Sequence, residues 1–212
     1  MRTNQLIYGL IFWLLVTSST VLTGAQAKPK TKSSVKPGVL SGRVFLVTVA
    51  GDIKPARMAK VYVLYMYRSV AYAKAHKEDQ DSAGMKWLRA YNKAMEDDLK
   101  AHEEKSADPN YHYSEAVWCL GKLAQHAGAI SETLDWVSAN NKGWQFIIGQ
   151  ADEEGYFSIS IPHPGLYHLI IRGHAGFNDA VWVTEENITI DPGIETTIKM
   201  SSPEVACVQT GD

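Results

Sequence analysis

Few residues of this chain have a type and spacing that suit chemistry. Among its 212 residues are two cysteines, Cys119 and Cys207, and seven histidines. In an exported chain, an even pair of cysteines is typical of one disulfide. Two unrelated buried thiols are the alternative, because both cysteines have apolar neighbours. We predict that Cys119 and Cys207 are bonded.

The histidines and the acidic run at residues 152–154 do not form a recognisable metal site. No histidine pair has the i, i+4 helical spacing with a nearby glutamate that zinc enzymes use. Three consecutive acids beside Gly155 are typical of a solvated turn, whereas a calcium loop draws spaced oxygen ligands. We therefore predict no metal and no other cofactor.

No residue is placed to act as a catalytic nucleophile. Cys119 falls in a helical pattern next to Trp118, which is a poor setting for an activated thiolate. The chain also has no Gly-x-Ser-x-Gly motif. We predict no catalytic residue, and an enzyme with an unrecognised site in the helical segment is the second alternative.

Large aromatic side chains are the remaining candidates for ligand contact. Trp182 alternates with Val181 and Val183 in a predicted strand, so its ring should face away from theirs. A ring exposed on a sheet surface can stack on sugars or peptides. Trp182 is therefore the candidate ligand-contact aromatic.

The N-terminus has the three zones of a secretory signal peptide. Arg2 is the positive start, residues 6–16 are apolar, and Ala25-Gln26-Ala27 is a small-x-small cleavage site. An uncleaved anchor is the alternative, but a membrane span needs about 20 apolar residues. We expect cleavage of residues 1–27, a secreted or periplasmic protein, and no membrane attachment after cleavage.

The chain that remains after cleavage has a small excess of acidic residues. It keeps 20 of the 21 basic residues and all 23 acidic ones, because the leader holds only Arg2. Nucleic-acid-binding domains need a basic excess, so no nucleic-acid partner is expected. Residues 28–38 are rich in lysine and contain two prolines, which predicts a flexible basic linker.

Short strands separated by turns predict a mainly β domain over residues 39–202. The strand at 60–67 is apolar on both faces, so a layer should cover each face. Residues 203–212 are expected to be a C-terminal tail. Strands are predicted at residues 42–49, 60–67, 144–151, 156–161, 166–172, 180–184, 187–190 and 195–200.

Between the second and third strands the apolar period becomes helical. We predict two antiparallel helices, at residues 81–105 and 114–137, inside an insertion at about residues 68–143. They should pack on the outer face of the strand at 60–67; the alternative is that they stand apart as a binding arm. The apolar stripes are Trp87, Leu88, Tyr91, Met95 and Leu99, and Val117, Leu120, Ala124, Ala127, Ile130, Leu134 and Val137.

Four segments carry a family resemblance: residues 42–44, 59–63, 151–159 and 164–169. An Asp-x-x-Gly-x-Phe turn at Asp152 to Phe157 enters a strand that ends before Pro164-Gly165 and a Tyr-x-Leu strand. This pattern resembles the carboxypeptidase regulatory-like (transthyretin-like, prealbumin-like) domain family. The resemblance implies an antiparallel Greek-key β-sandwich, here interrupted by a two-helix hairpin, in a bacterial accessory, carbohydrate-binding-like or adhesive module.

The sequence thus predicts an exported, non-catalytic binding or scaffolding domain whose partner is an unknown protein or a glycan. A carbohydrate-binding module is the first alternative and predicts an exposed aromatic row on one sheet. Protein scaffolding predicts an apolar patch, foremost on the helices. An enzyme predicts a cleft with convergent polar groups whose pKa values are perturbed.

Overall fold

The structure is a computed structural model that describes residues 35–75, 81–108 and 114–208. The expected signal peptide at 1–27 and residues 28–34 of the expected linker lie outside the described residues, as do the last four residues. In the part of the chain that the structure describes, the first strand begins at Gly38, at the end of the expected linker. Within the described residues, no helix is both long enough and apolar enough to cross a bilayer.

The order of elements confirms a mainly β fold with helices inserted after the second strand. A short helix, which the sequence did not predict, precedes the two long ones. The elements are β1 (Gly38–Val47), β2 (Ile53–Tyr67), α1 (Val70–Ala75), α2 (Ala83–Ser106), α3 (Glu115–Ala139), a 3₁₀ turn (Gly143–Gln145), β3 (Phe146–Gln150), β4 (Tyr156–Ile161), β5 (Gly165–Ala175), β6 (Asn178–Val183), β7 (Ile188–Ile190), β8 (Glu195–Met200) and β9 (Val205–Val208).

The strands form two groups that pack on a shared core. One group places β1 between β4 and β8, and the other has the order β3-β2-β5-β6-β9 with β7 beside β5. The start of β2 pairs with the end of β1 in a hairpin that joins the groups. All pairs are antiparallel except β1–β8, which is parallel.

The core between the two strand groups follows the alternation of the strands. On β4 the side chains of Phe157, Ile159 and Ile161 point inward, as the sequence predicted. They meet Val61 and Val63 of β2 among the other residues of this core. Alternation with a period of two therefore assigns one face of each strand to the interior.

A second core lies on the opposite face of β2, under the long helices. Tyr62 and Leu64 of β2 contact a cluster that includes Trp87 of α2 and Leu123 and Ile130 of α3. This confirms the prediction that the helices cover the outer face of the strand at 60–67. Covering such side chains is favourable by roughly 1.5–3 kcal/mol for each one that is fully buried.

The predicted stripe of α3 is largely on the wrong face. Val117, Leu120 and Leu134 are exposed, and only Ile130 and Val137 of the predicted stripe are fully buried. The buried face carries instead Cys119, Leu123, Gln125, His126, Ala129, Ile130, Thr133 and Val137. Because apolar residues surround the first half of this helix, periodicity alone did not select the face.

The predicted stripe of α2 is buried only in its first half. Trp87 and Tyr91 lie in the second core, whereas Met95 and Leu99 are exposed. The helix thus extends beyond the strands it covers. Ser82 caps its start by accepting a hydrogen bond from the Met85 amide, and Ser114 does the same for Val117 at the start of α3.

Part of the expected C-terminal tail at residues 203–212 is a strand, and residues 209–212 lie outside the described residues. Residues 205–208 form β9, which pairs with β6 as an edge strand of the second group. Val205 and Cys207 point into the second core and alternate with exposed neighbours. Four residues give too short an alternation to be recognised as a strand in the sequence.

Candidate functional site

The two cysteines lie together as predicted. Cys119 on α3 and Cys207 on β9 form a disulfide, with their Cα atoms 5.8 Å apart. The bond joins the helical insertion to the last strand across 88 residues of sequence. Both residues are buried, so the disulfide is a structural staple and offers no exposed redox centre.

Trp182 is not at a ligand-binding surface. Its side chain is 0% exposed and lies in the core between the strand groups. Its indole N–H donates a 3.1 Å hydrogen bond to the Phe45 carbonyl. The predicted alternation with Val181 and Val183 is correct, but Trp182 takes the inward face, so the expected contact role does not hold.

The insertion and the residue before β9 share a network of polar groups that the sequence did not reveal. The Tyr91 hydroxyl donates a 2.7 Å hydrogen bond to Glu204 Oε1, and His126 Nε2 lies 3.4 Å from Glu204 Oε2. The His126 ring also stacks on Tyr91, with centroids 4.3 Å apart. α2, α3 and the residue before β9 therefore meet at one carboxylate.

The pKa of Glu204 reflects this setting. Burial alone would raise it, but the interactions with His126 and Tyr91 and the charge of Lys122 lower it below the usual value. Burial and the bond to Glu204 raise the pKa of Tyr91. Both shifts favour an ionised Glu204 that accepts from a neutral phenol.

His168 of β5 contacts this group of rings from the side of the sheet. Its ring lies 5.1 Å from Trp87, and its Nδ1 lies 3.3 Å from the Thr184 hydroxyl. Burial lowers the pKa of His168 to about 4, and the Glu204 charge only partly offsets this. His168 is therefore neutral at physiological pH.

This network has the convergent, perturbed groups that an enzyme would need, but it lies within a packed interface. The His126 side chain is 0% exposed, and Trp87 and Tyr91 are also buried. A substrate would meet only the edge of Glu204, which is partly exposed. The arrangement is suited to holding α2, α3 and β9 together.

A groove on the face of the sheet that the helices partly cover is open to solvent. It lies beside α3, where the helix leaves part of β2, β5 and β6 uncovered, and has a volume of about 410 Å³. Such a volume is within the range of small-ligand sites. Its walls are formed by Arg57, Met58, Lys60, Tyr62, Leu123, Arg172, Gly173, His174, Asp179 and Ala180.

A β-bulge in β2 concentrates basic residues in this groove. Arg57 pairs with His174 and Lys60 with Arg172, so Met58 and Ala59 together oppose Gly173. In a regular strand, residues three apart lie on opposite faces. The bulge instead leaves Ala59 in the core and puts Arg57 and Lys60 on the groove side.

The backbone of this bulge is strained and closely packed. Met58, which is exposed, has φ +51, a left-handed value that is uncommon for a residue with a side chain. A Cβ added to Gly173 would lie 2.5 Å from the Ala59 Cβ, so the bulge requires glycine at that position. Bulges and strained residues are enriched at functional sites.

The charges of the groove are placed at a cost to the free protein. Lys60 and Arg172 occupy directly opposite positions on neighbouring strands, where like charges repel. Among the described residues, no ion pair within 4.0 Å involves Arg57, Lys60 or Arg172. Three cations thus line the groove without an ion-pair partner among the described residues, and Asp179 is the carboxylate that lines it with them.

Hydrogen-bonding groups accompany the cations. Asp179 of β6 is paired with His174 at one wall of the groove. Burial raises the pKa of Tyr62, and the nearby Arg172 charge partly offsets that shift. The acidic turn at residues 152–154 meets the bulge through the Asp152 carbonyl, which accepts from the Met58 amide, and it does not line the groove.

Among the described residues, the exposed aromatic rings do not form a row on one sheet. Trp118 lies on α3, Trp144 in the 3₁₀ turn, Tyr156 on β4 and Phe177 at the turn between β5 and β6. Trp144 belongs to a ring cluster, with Tyr65 at 4.8 Å and His163 at 4.5 Å. The carbohydrate-binding alternative therefore does not have the aromatic row it predicts.

Sequence reasoning missed Arg57, Lys60 and Arg172. The strand predicted from the sequence begins at Lys60, so the bulge lies in a segment that the sequence predicts to be a turn. Gly173 was the available signal, because glycine inside an apolar strand often marks a bulge or a close backbone approach. Arg57 and Lys60 give no signal by themselves, since their shared face depends on the bulge.

No family model matches the chain, and no curated protein is similar enough to match it. The resemblance to the carboxypeptidase regulatory-like family therefore stays a prediction.

Two likenesses among solved structures are distant. A Pseudomonas aeruginosa protein, provisionally described as carbohydrate-binding, has a TM-score of 0.35 and 12% identity, over 80% of this chain and 90% of that one. The pilus backbone of Streptococcus pneumoniae has a TM-score of 0.29 and 10% identity over 78% of this chain. This chain spans 41% of that pilus protein. Likenesses at these TM-scores support no functional assignment.

Proposed function

We propose that this protein is an exported, non-catalytic binding domain that holds an anionic ligand in the groove between α3 and the strands β2 and β5. The observation that carries the proposal is the placement of Lys60 directly opposite Arg172, with Arg57 on the same face. Folding alone gains nothing from that arrangement, because like charges opposite each other destabilise a sheet. An anionic ligand turns the repulsion into charge-assisted hydrogen bonds.

The chemistry of the side chains suits binding without turnover. Arginine offers a planar fork of donors that matches carboxylate, phosphate or sulfate oxygens, and lysine adds a compact charge. The groove holds no cysteine or serine beside a base among its lining residues. Its groups orient and neutralise a ligand.

The test is a titration with citrate and with phosphate, followed by NMR of the backbone amides. We expect the shifts to concentrate at residues 57–62 of β2 and 170–174 of β5, and to disappear in Lys60→Gln and Arg172→Gln. The control is Lys100→Gln, which removes an exposed charge on α2 away from the groove. Shifts scattered over all lysines, with no dependence on Lys60 or Arg172, would refute the proposal.

Export is part of the proposal. The disulfide between Cys119 and Cys207 fits an oxidising compartment, where such bonds persist. We infer that residues 1–27 are removed after Ala27 and that the mature protein is secreted or periplasmic. Mass spectrometry of the protein from an export-competent bacterium tests this, and a mature chain that still begins at Met1 would contradict it.

A second candidate function is protein docking on the exposed side of the helical hairpin. Leu99 in the second half of α2, and Val117 and Leu120 in the first turns of α3, are more than half exposed. Exposed apolar patches mark interaction surfaces. If the partner is a second copy, analytical ultracentrifugation will show a dimer that Leu120→Asp abolishes; a monomer at all concentrations removes self-association as the use of this surface.

A further inference from the structure

Resting on the proposed function, we infer that the groove binds an acidic oligosaccharide with carboxylates on different sugar residues. The cations of the groove lie at two levels along β5. Arg57 lies at the level of His174, and Lys60 and Arg172 lie at the level of residue 172. These levels are two residues apart on β5, which corresponds to about 7 Å at the usual rise of a strand.

The spacing selects a ligand with more than one anionic group. Lys60 and Arg172 flank one position from opposite strands, where side chains start roughly 5 Å apart and can grip a single anion. Arg57 lies two residues further along β5, opposite His174, and can bind a second anion. A single small anion would leave one of these positions unneutralised, whereas a chain of acidic units fills both.

Side chains that can form hydrogen bonds line the groove together with the cations. Asp179, paired with His174, and the Tyr62 hydroxyl line the same groove. A carboxylate in the wall opposes a ligand whose surface is anionic throughout, but it accepts hydrogen bonds from hydroxyl groups. Sugar acids present hydroxyls next to each carboxylate, so they match both the cations and Asp179.

The same features disfavour other polyanions. Single-stranded nucleic acids are bound by aromatic platforms that stack bases, and Tyr62, the one Phe, Tyr or Trp among the described residues that line the groove, is 9% exposed. Polyphosphate and oligoglutamate lack hydroxyls for Asp179. These polymers therefore serve as the competing outcomes of the test.

The experiment is calorimetric titration of the full mature chain with a trisaccharide of galacturonic acid and with its fully methyl-esterified form. Esterification removes the charges and keeps the hydroxyls. We expect the acid to bind, and the ester to bind more weakly by roughly 10- to 100-fold, as expected for loss of charge-assisted bonds. Arg57→Gln and Lys60→Gln should each weaken the binding of the acidic trisaccharide, and Lys100→Gln should leave its binding unchanged.

Three results would overturn the inference, and they separate it from the proposed function. Equal binding of acid and ester shows that the charges are not recognised. If oligoglutamate or polyphosphate binds more tightly than the trisaccharide and this binding still depends on Lys60, the groove binds anions but its ligand is not an acidic sugar. If the trisaccharide does not bind while citrate still shifts the groove amides, the inference fails and the proposed function stands.

Discussion

The hydroxyl of Tyr91 on α2 donates a 2.7 Å hydrogen bond to the carboxylate of Glu204, which lies 113 residues away in sequence, just before β9. Glu204 also lies 3.4 Å from His126 of α3. One carboxylate thus connects both long helices to the last strand. The disulfide of Cys119 and Cys207 makes a second connection between α3 and β9.

Removing the Tyr91 hydroxyl should weaken this connection. We expect Tyr91→Phe to lower the free energy of unfolding by about 1–2 kcal/mol, because a bond to a charged acceptor is lost while the ring stays in place. Urea unfolding measures the change. Tyr156→Phe, at an exposed tyrosine on β4, is the control and should have no effect; equal losses in both variants would contradict this role of Glu204.

Stability should fall in mild acid because of His168. Its pKa is about 4 in the folded protein against 6.5 ordinarily, so the unfolded chain takes up the proton first as pH falls. The folded state therefore loses stability from about pH 6.5 down to about pH 4, by at most about 1.4 kcal/mol per pH unit. Unfolding free energies measured across this range test the slope.

His168→Gln should flatten that slope between pH 6.5 and 4.5. Below this window the lowered pKa of Glu204 adds its own loss, since its contribution disappears as pH falls through the folded value. The control is His163→Gln, at an exposed histidine outside both the groove and the Glu204 network. An unchanged slope in His168→Gln would show that His168 is not the titrating group.

Reduction of the disulfide should cost about 4 kcal/mol in the chain-entropy model, since the bond closes a long loop. We expect the protein to unfold at lower urea concentration in the presence of a reductant. The double variant Cys119→Ser, Cys207→Ser should start from that lower stability and be insensitive to reductant. A reductant effect that persists in the double variant would point to another cause.

Two glycine substitutions should act in opposite directions. Gly155 has φ +80, and an added Cβ would collide with the Val44 carbonyl, so Gly155→Ala should destabilise by more than about 1 kcal/mol. Gly128 lies inside α3 with open space around its Cα, so Gly128→Ala should stabilise by roughly 0.5–1 kcal/mol. Thermal unfolding of both variants tests these predictions, and a change in the same direction for both would contradict them.

The free protein should become more stable when one cation of the groove is removed. Lys60→Gln and Arg172→Gln each relieve the repulsion across β2 and β5, by roughly 0.2–1 kcal/mol at low salt. The gain should shrink at high salt, because salt screens the repulsion at this partly exposed site. Lys100→Gln should give no such gain. If Lys60→Gln destabilises instead, the pair is not repulsive in the folded protein.

The sequence by itself determined the outline of this protein. Alternation at residues 156–161 and the helical period of residues 81–105 are local properties, and they predicted β4 and α2 nearly at their observed bounds. The apolar character of both faces of residues 60–67 required two covering layers, which is why the helices could be placed on that strand. The disulfide followed from there being only two cysteines.

Tertiary structure decided which faces are buried and where a ligand can bind. Alternation placed the ring of Trp182 opposite Val181 and Val183, but only the position of β6 in the sheet made that the inner face. The buried face of α3 was chosen by β9 and β6, because apolar residues surround the first half of the helix. Arg57 and Lys60 share a face only because Met58 and Ala59 bulge opposite Gly173, a register that depends on pairing across more than 100 residues.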